Sequence, residues 1–173
     1  MTRSRTASAT GLATIAADGS VLDAWFERPE LAPLNEEAGL PPSLLTLQGH
    51  DAQRNVELKA VRIEIDLDRA PASVEDAYLR LHLLSHCLVK PNTINLDGIF
   101  GVLPLVAWTT AGPMQPDEFS AHVPKLKRAG ITLVGLDKFP RLTDYVVPKG
   151  VRIADTSRVR LGAHLAPGTT VMH

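Results

Sequence analysis

The C-terminal segment carries a six-residue repeat of aliphatic side chains. The aliphatic positions are Val147, Ile153, Val159, Leu165 and Val171, and a second phase of the same period holds Gly150, Gly162 and Gly168. A period of six fits neither an α-helix nor a flat strand, but it is typical of a parallel β-helix in which each hexad forms one side of a triangular coil. The pattern therefore predicts aliphatic side chains inside the coil and glycines with positive φ at its corners.

The first half of the chain shows strand patterns. Asp18-Gly19 stands between two apolar runs, which predicts a β-hairpin at the start of the fold. Apolar and charged residues alternate over 61–67, as expected of a half-exposed strand. Residues 28–55 have several prolines and no sustained periodicity, so they predict a long irregular excursion.

Helical patterns follow. Ser73 and Asp76 resemble a capping box, and the apolar residues after them recur at helical spacing, which predicts a helix over 74–88. We interpret 99–108 as a buried strand interrupted at Pro104, 117–129 as a helix kinked at Pro124, and 131–136 as a short strand. The sequence thus predicts an α+β N-terminal domain over 1–145, followed over 146–173 by the first coils of a left-handed parallel β-helix.

Composition limits the classes of partner. The 18 basic and 19 acidic residues give a net charge of −1, which disfavours nucleic acid and anionic membranes. No stretch approaches the length and apolarity of a membrane span, and the first ten residues lack the apolar region of a secretion signal. One cysteine excludes an intrachain disulfide. Together these features indicate a cytoplasmic protein.

Two histidines on the predicted helix are a candidate metal site. His82 and His86 are four residues apart and share a helix face. The glutamate of an HExxH motif is missing between them, so packing or a subunit contact is the favoured interpretation.

The hexads and the segment before them hold further candidates. His164 is placed where a hexapeptide acyltransferase would use a general base or a hexapeptide carbonic anhydrase a zinc ligand, whereas His173 falls on another side of the coil. Lys138 and Arg141 could contact a dicarboxylate, and Asp155 could meet its symmetry mates in a trimer. For each of these residues an ordinary surface role is the simpler interpretation.

Several segments closely resemble one enzyme family. They are Asp76-Ala-Tyr-Leu-Arg-Leu-His-Leu-Leu-Ser-His86, Leu96-Asp-Gly-Ile-Phe-Gly101, Asp137-Lys-Phe-Pro-Arg-Leu-Thr-Asp-Tyr-Val-Val-Pro148, Gly150-Val-Arg-Ile-Ala-Asp155 and Val159-Arg-Leu-Gly-Ala-His-Leu-Ala-Pro-Gly-Thr-Thr-Val-Met-His173. The chain resembles the N-terminal part of the actinobacterial type of tetrahydrodipicolinate N-succinyltransferase. The likeness spans nearly the whole chain and is weakest over 28–55.

The resemblance implies a cytoplasmic homotrimer that transfers succinyl from succinyl-CoA to a small amino dicarboxylate in the diaminopimelate route to lysine. Family members continue past the position of His173, and their catalytic glutamate and CoA-binding groups lie there. The resemblance therefore assigns no catalytic, cofactor-binding or metal residue here, and we expect this chain to be inactive alone. The family's axial Mg²⁺ ligand is an aspartate, and Ser157 occupies its position, so that site is in doubt. The alternatives are a non-catalytic trimerisation or assembly module and, less favoured, a hexapeptide metal enzyme.

Overall fold

The fold begins with a four-stranded antiparallel sheet. A computed structural model describes residues 5–172, and its first sheet contains β1 (Thr6–Ala16), β2 (Val21–Phe26), β3 (Gly49–Asp51) and β4 (Val56–Asp66) in the order β2-β1-β4-β3. The hairpin between β1 and β2 confirms the prediction. Its turn is closed by a hydrogen bond of 2.9 Å from the Ser20 amide to the Asp18 carboxylate, with Gly19 at a φ of 86°.

The excursion after β2 is largely irregular, as predicted. It contains one short helix, α1 (Pro42–Leu45). The predicted loop over 28–55 misses the short edge strand β3, and β4 begins five residues earlier than the alternation at 61–67 indicates. Residues 56–60 also alternate, but their apolar side chains stand in the opposite phase, so the alternation at 61–67 covers only the later part of β4.

Helix α2 (Val74–Ser85) packs against the first sheet and is buried from Asp76 to Ser85. The Ser73 hydroxyl accepts from the Asp76 amide at 3.1 Å, which confirms the predicted N-cap. The helix ends three residues before the predicted 88. Cys87 adopts a left-handed φ of 57°, and the amides of Cys87 and Leu88 bond back to Leu84 and Leu83, which is a Schellman termination.

A second, three-stranded sheet follows. Its elements are α3 (Ile99–Val102), β5 (Val106–Thr109), β6 (Gly112–Met114), α4 (Pro116–Ala121), α5 (Val123–Arg128) and β7 (Leu133–Asp137), and the strand order is β6-β5-β7. The prediction of one strand over 99–108 is wrong in its first half. Gly98, at a φ of 75°, starts the helical turn of α3, and the chain becomes extended at Leu103 just before Pro104. The kink predicted in 117–129 is a break between two helices at His122, close to Pro124.

The hexads contain two short strands, β8 (Arg152–Ile153) and β9 (Thr170–Val171). They pair in parallel with Arg152 beside Thr170, a separation of three hexads. Gly150, Gly162 and Gly168 all have positive φ, as predicted. This one pairing is what a single coil requires, whereas a complete β-helix stays a prediction.

One hydrophobic core connects the hexads with the first sheet and α2. Val159 and Leu161 are buried in the same cluster as Leu81 and Val146. Val147, in contrast, is 88 % exposed, so its predicted place inside the coil is wrong. It precedes β8 and has no coil above it among the described residues. A boundary between residues 145 and 146 stays a prediction. None of the helices within residues 5–172 is long and apolar enough to cross a bilayer.

Candidate functional site

His82 is a core residue with both ring nitrogens occupied. It is fully buried, with Nδ1 2.7 Å from the Tyr78 carbonyl and Nε2 3.3 Å from the Phe26 amide. The neutral tautomer that donates from Nδ1 and accepts at Nε2 satisfies both contacts. Burial lowers the pKa of His82 to about 4, so the ring is neutral near pH 7. A nitrogen that already accepts an amide proton is not free to bind a metal.

His86 lies at the exposed C-terminal end of α2. Its ring stacks on that of His82 with centroids 6.3 Å apart, and partial burial lowers its pKa. No group of three or more His, Cys, Asp or Glu side chains suited to a metal ion occurs within residues 5–172. The favoured interpretation of the His82 and His86 pair as packing residues agrees with this geometry.

A buried polar cluster joins β2 to the segment that leads into the hexads. The Tyr145 hydroxyl donates to Asp23 Oδ2 at 2.5 Å, and the Trp25 indole donates to the Tyr145 carbonyl at 3.1 Å. Burial raises the pKa of the Asp23 carboxyl, and hydrogen bonds from Thr14 and Tyr145 partly offset that rise. Because Asp23 and the Tyr145 hydroxyl are shielded from solvent, the cluster positions the chain before the hexads and does not receive a substrate.

Lys138 and Arg141 are both engaged in the fold. Lys138 Nζ donates to the carbonyls of Phe100 at 2.5 Å and Leu103 at 3.0 Å, so it closes the C-terminal end of α3. Arg141 pairs with Asp144 through two contacts of 3.1 and 3.2 Å.

Next to Arg141 is a small cavity of about 60 Å³, also lined by Ser157 and Arg160. That volume corresponds to about two water molecules. It is too small for a dicarboxylate in this chain alone.

Within the described residues of one chain, Asp155 is already bonded to its own turn. Asp155 Oδ1 accepts from the Ser157 amide at 2.9 Å and hydroxyl at 2.6 Å, which lowers the pKa of Asp155. Its other oxygen is 3.8 Å from the Arg158 guanidinium. A carboxylate that caps its own turn beside an arginine does not fit Mg²⁺, which prefers several free oxygen ligands. His164 is partly exposed, and His173 lies outside the described residues.

The most deeply buried ion pair within residues 5–172 was not predicted from the sequence. Arg80 and Asp76 are four residues apart on α2, and Arg80 Nε is 2.7 Å from Asp76 Oδ1 with both side chains buried. The spacing alone signals such a pair. The spacing does not predict that the helix is buried. Because it is buried, the ion pair is shielded from water and contributes to the stability of the fold.

Comparisons with known proteins agree on one family. Residues 44–101 match the family model "Tetrahydrodipicolinate N-succinyltransferase N-terminal", and residues 103–141 match "Tetrahydrodipicolinate N-succinyltransferase middle". Taken together, the two models match more than half of the chain.

Two relatives are named 2,3,4,5-tetrahydropyridine-2,6-dicarboxylate N-succinyltransferase. The Salinispora tropica protein is 49% identical over 185 residues, covering 100% of this chain and 57% of its own length. The Vibrio cholerae serotype O1 protein is 40% identical over 199 residues, covering 95% of this chain and 58% of its own length. The chain therefore spans little more than half the length of the curated relatives it matches.

A solved structure has the same fold. A Campylobacter jejuni protein described as a 2,3,4,5-tetrahydropyridine-2-carboxylate N-succinyltransferase superposes with a TM-score of 0.72 at 24% identity. The superposition covers 98% of this chain and 57% of that one. At this identity the likeness supports the fold alone.

Proposed function

We propose that this chain, which belongs to the tetrahydrodipicolinate N-succinyltransferase family, is the N-terminal part of an enzyme that succinylates the ring-opened form of 2,3,4,5-tetrahydropyridine-2,6-dicarboxylate. The observation that carries the proposal is the match of the whole chain, at 49% identity, to a relative of that name. The family assignment makes an acyltransferase the favoured activity over a non-catalytic assembly module.

The reaction is an acyl transfer from a thioester to an amine. The amine nitrogen bonds to the carbonyl carbon of succinyl-CoA, the C–S bond breaks, and the amine proton passes by way of a base to the departing thiolate. Groups that hold the two substrates, take up the proton and stabilise the oxyanion supply the rate enhancement. We assign none of these roles to residues 1–173, and succinyl-CoA is proposed to bind mainly outside this chain.

This chain supplies the scaffold on which the site is built. We propose that the hexads begin a left-handed parallel β-helix, which the pairing of Arg152 with Thr170 supports because their separation of 18 residues equals one coil. Helix α2 holds the first coil in place. Ser85 Oγ donates to the Ala163 carbonyl at 3.0 Å and accepts from the Gly162 amide at 2.8 Å. Adjacent β-helices of a cytoplasmic homotrimer would then form the substrate clefts.

The test is succinyl transfer by the natural full-length protein. We expect CoA and the N-succinyl product in equal amounts when succinyl-CoA and tetrahydrodipicolinate are supplied together, and neither when one is omitted. Product should be measured by mass spectrometry, because the exposed thiol of Cys87 would compete with CoA for a thiol reagent. Residues 1–173 alone serve as the negative control. A full-length trimer without turnover would refute the proposal and favour the assembly module.

A further inference from the structure

A cleft separates the outer face of the first sheet from the irregular segment that follows β2. Its volume is about 480 Å³, within the range of small-molecule sites. Ser8, Thr10 and Arg62 form its floor, and Glu27, Arg28 and Glu30 stand at its wall. The cleft is far larger than the cavity beside Arg141, and the proposed acyl transfer gives it no role.

The strand register gives the cleft a fixed floor. Thr10 pairs with Arg62 across β1 and β4, and Ser8 pairs with Glu64 two residues away, so these side chains share one face of the sheet. The backbone of Glu30 is bonded to Ser8 in both directions at 2.9 Å. The backbone of Glu30 is therefore fixed beside Ser8, on the opposite side of β1 from β4.

Arg62 has donors that the fold does not use. Its Nη2 donates to the Asn35 carbonyl at 2.6 Å, which orients the guanidinium toward the irregular segment. Its Nε is shielded from solvent and has no acceptor within residues 5–172. A ligand carboxylate that replaced the Asn35 carbonyl would accept from Nε and Nη2 together, because these two nitrogens lie on one edge of the guanidinium. Carboxylates match that fork geometry.

The charges at the wall complement a second group on the same ligand. None of the ion pairs within residues 5–172 involves Glu27, Arg28 or Glu30. The cleft thus combines two arginines and two glutamates, which sum to no net charge. An anion alone would leave the glutamates unmatched, and a cation alone would leave the arginines unmatched.

We propose that this cleft binds a free amino acid, with its carboxylate on Arg62 and its ammonium group on Glu30. The site is built by residues 8–43 together with Arg62, so it does not depend on the catalytic portion of the enzyme. Its existence is also independent of the proposed succinyl transfer.

The test is calorimetric titration of the full-length protein with pairs of probes that differ by one group. L-Glutamate is compared with glutarate, which lacks the ammonium group, and L-lysine with 1,5-diaminopentane, which lacks the carboxylate. We expect at least one amino acid to bind at millimolar concentrations or below and its partner probe to bind at least about tenfold more weakly. Equal binding of both members of each pair, or no binding, would overturn the proposal.

Amino acid binding by variants tests whether the ligand occupies this cleft. Arg62→Ala and Glu30→Gln should each weaken amino acid binding about tenfold or more, and Arg62→Lys should also weaken it because the fork is lost. Arg69→Ala and Glu57→Gln, which remove exposed charges elsewhere on β4 and its flank, are the matched controls and should leave binding unchanged. Retention of wild-type affinity by Arg62→Lys and Glu30→Gln, both folded by circular dichroism, would refute the assignment. Binding and succinyl transfer are measured separately, so the failure of one is distinguishable from the failure of the other.

Discussion

Removing the carboxylate of Asp76 should strongly destabilise the fold. Asp76 accepts from Arg80 Nε at 2.7 Å, and the other guanidinium nitrogens donate to the backbone carbonyls of Asp66 at 2.9 Å, Asn95 at 2.8 Å and Leu67 at 3.4 Å. The side chain of Arg80 is only 1% exposed. Asp76→Ala therefore leaves a guanidinium whose carbonyl partners remain but whose compensating charge is gone.

The size of the loss follows from the burial of this charge. Breaking a buried ion pair by removing one partner costs about 3–5 kcal/mol, because the remaining charge is desolvated and unpaired. Arg80→Met removes the other partner: among the described residues, the Asp76 carboxylate keeps only the Ala72 amide as a donor, and three carbonyls each lose a donor, so we expect a loss in the same range. The double variant should lose less than the sum of the two single losses, since the second change removes the charge stranded by the first.

The assay is urea unfolding followed by the fluorescence of Trp25 and Trp108. The control is Arg5→Ala, which breaks a still shorter contact of 2.6 Å between Arg5 and Asp68 whose side chains are about half exposed. Solvent screens that pair, so we expect no resolvable change in its midpoint. If Asp76→Ala shifts the midpoint no further than Arg5→Ala does, or if the single losses are additive, the assignment of the buried pair as an anchor is wrong.

Three further predictions concern the helix and the hexads. The folded-state pKa of His82 lies below its unfolded value, so the free energy of unfolding should fall by about 3 kcal/mol as the pH drops from 6.5 to 4. His82→Gln should remove this pH dependence, and urea midpoints that change with pH in parallel for both proteins would contradict the prediction. Gly162→Ala should lower the free energy of unfolding by about 2 kcal/mol, because φ is 103° and the new Cβ would lie 2.7 Å from Leu81 Cδ2. Gly168→Ala is the control: φ is 93° but the space around it is open, so the loss should be about 1 kcal/mol. Equal losses of stability in thermal unfolding would refute the role of the Leu81 contact. Neither Mg²⁺ nor EDTA should change the melting temperature of this chain, since the position of Ser157 lacks a free carboxylate. A melting temperature that rises with Mg²⁺ and then saturates would show a cation site there.

Local signals in the sequence predicted the elements whose chemistry is also local. The Asp18-Gly19 turn, the Ser73 cap and the hexad glycines each act within a few residues, and each occurs where the pattern placed it. The strand prediction for residues 99–102 was wrong because a short apolar run has the same composition in a buried helix and in a buried strand. The helical turn of α3 begins at Gly98 because this residue has a left-handed φ, and a single sequence does not reveal that conformation.

The polar contacts that position the candidate site come from distant parts of the chain. Tyr145 bonds to Asp23, which is 122 residues earlier, and Arg62 bonds to the Asn35 carbonyl, 27 residues earlier. No spacing or motif in the sequence predicts either contact. The family resemblance pointed to an activity but not to these contacts, because its motifs include Tyr145 but none of Asp23, Asn35 and Arg62.

Burial of α2 on all sides explains why its polar residues are internal connectors. A helix exposed on one face can turn its polar side chains to water, but α2 lies between the first sheet and the hexads. Arg80 and Ser85 therefore use their donors and acceptors on backbone groups of other segments. Gly162 packs against Leu81 of the same helix. A change on α2 should thus reach the hexads directly, and through them any substrate cleft built on the proposed β-helix.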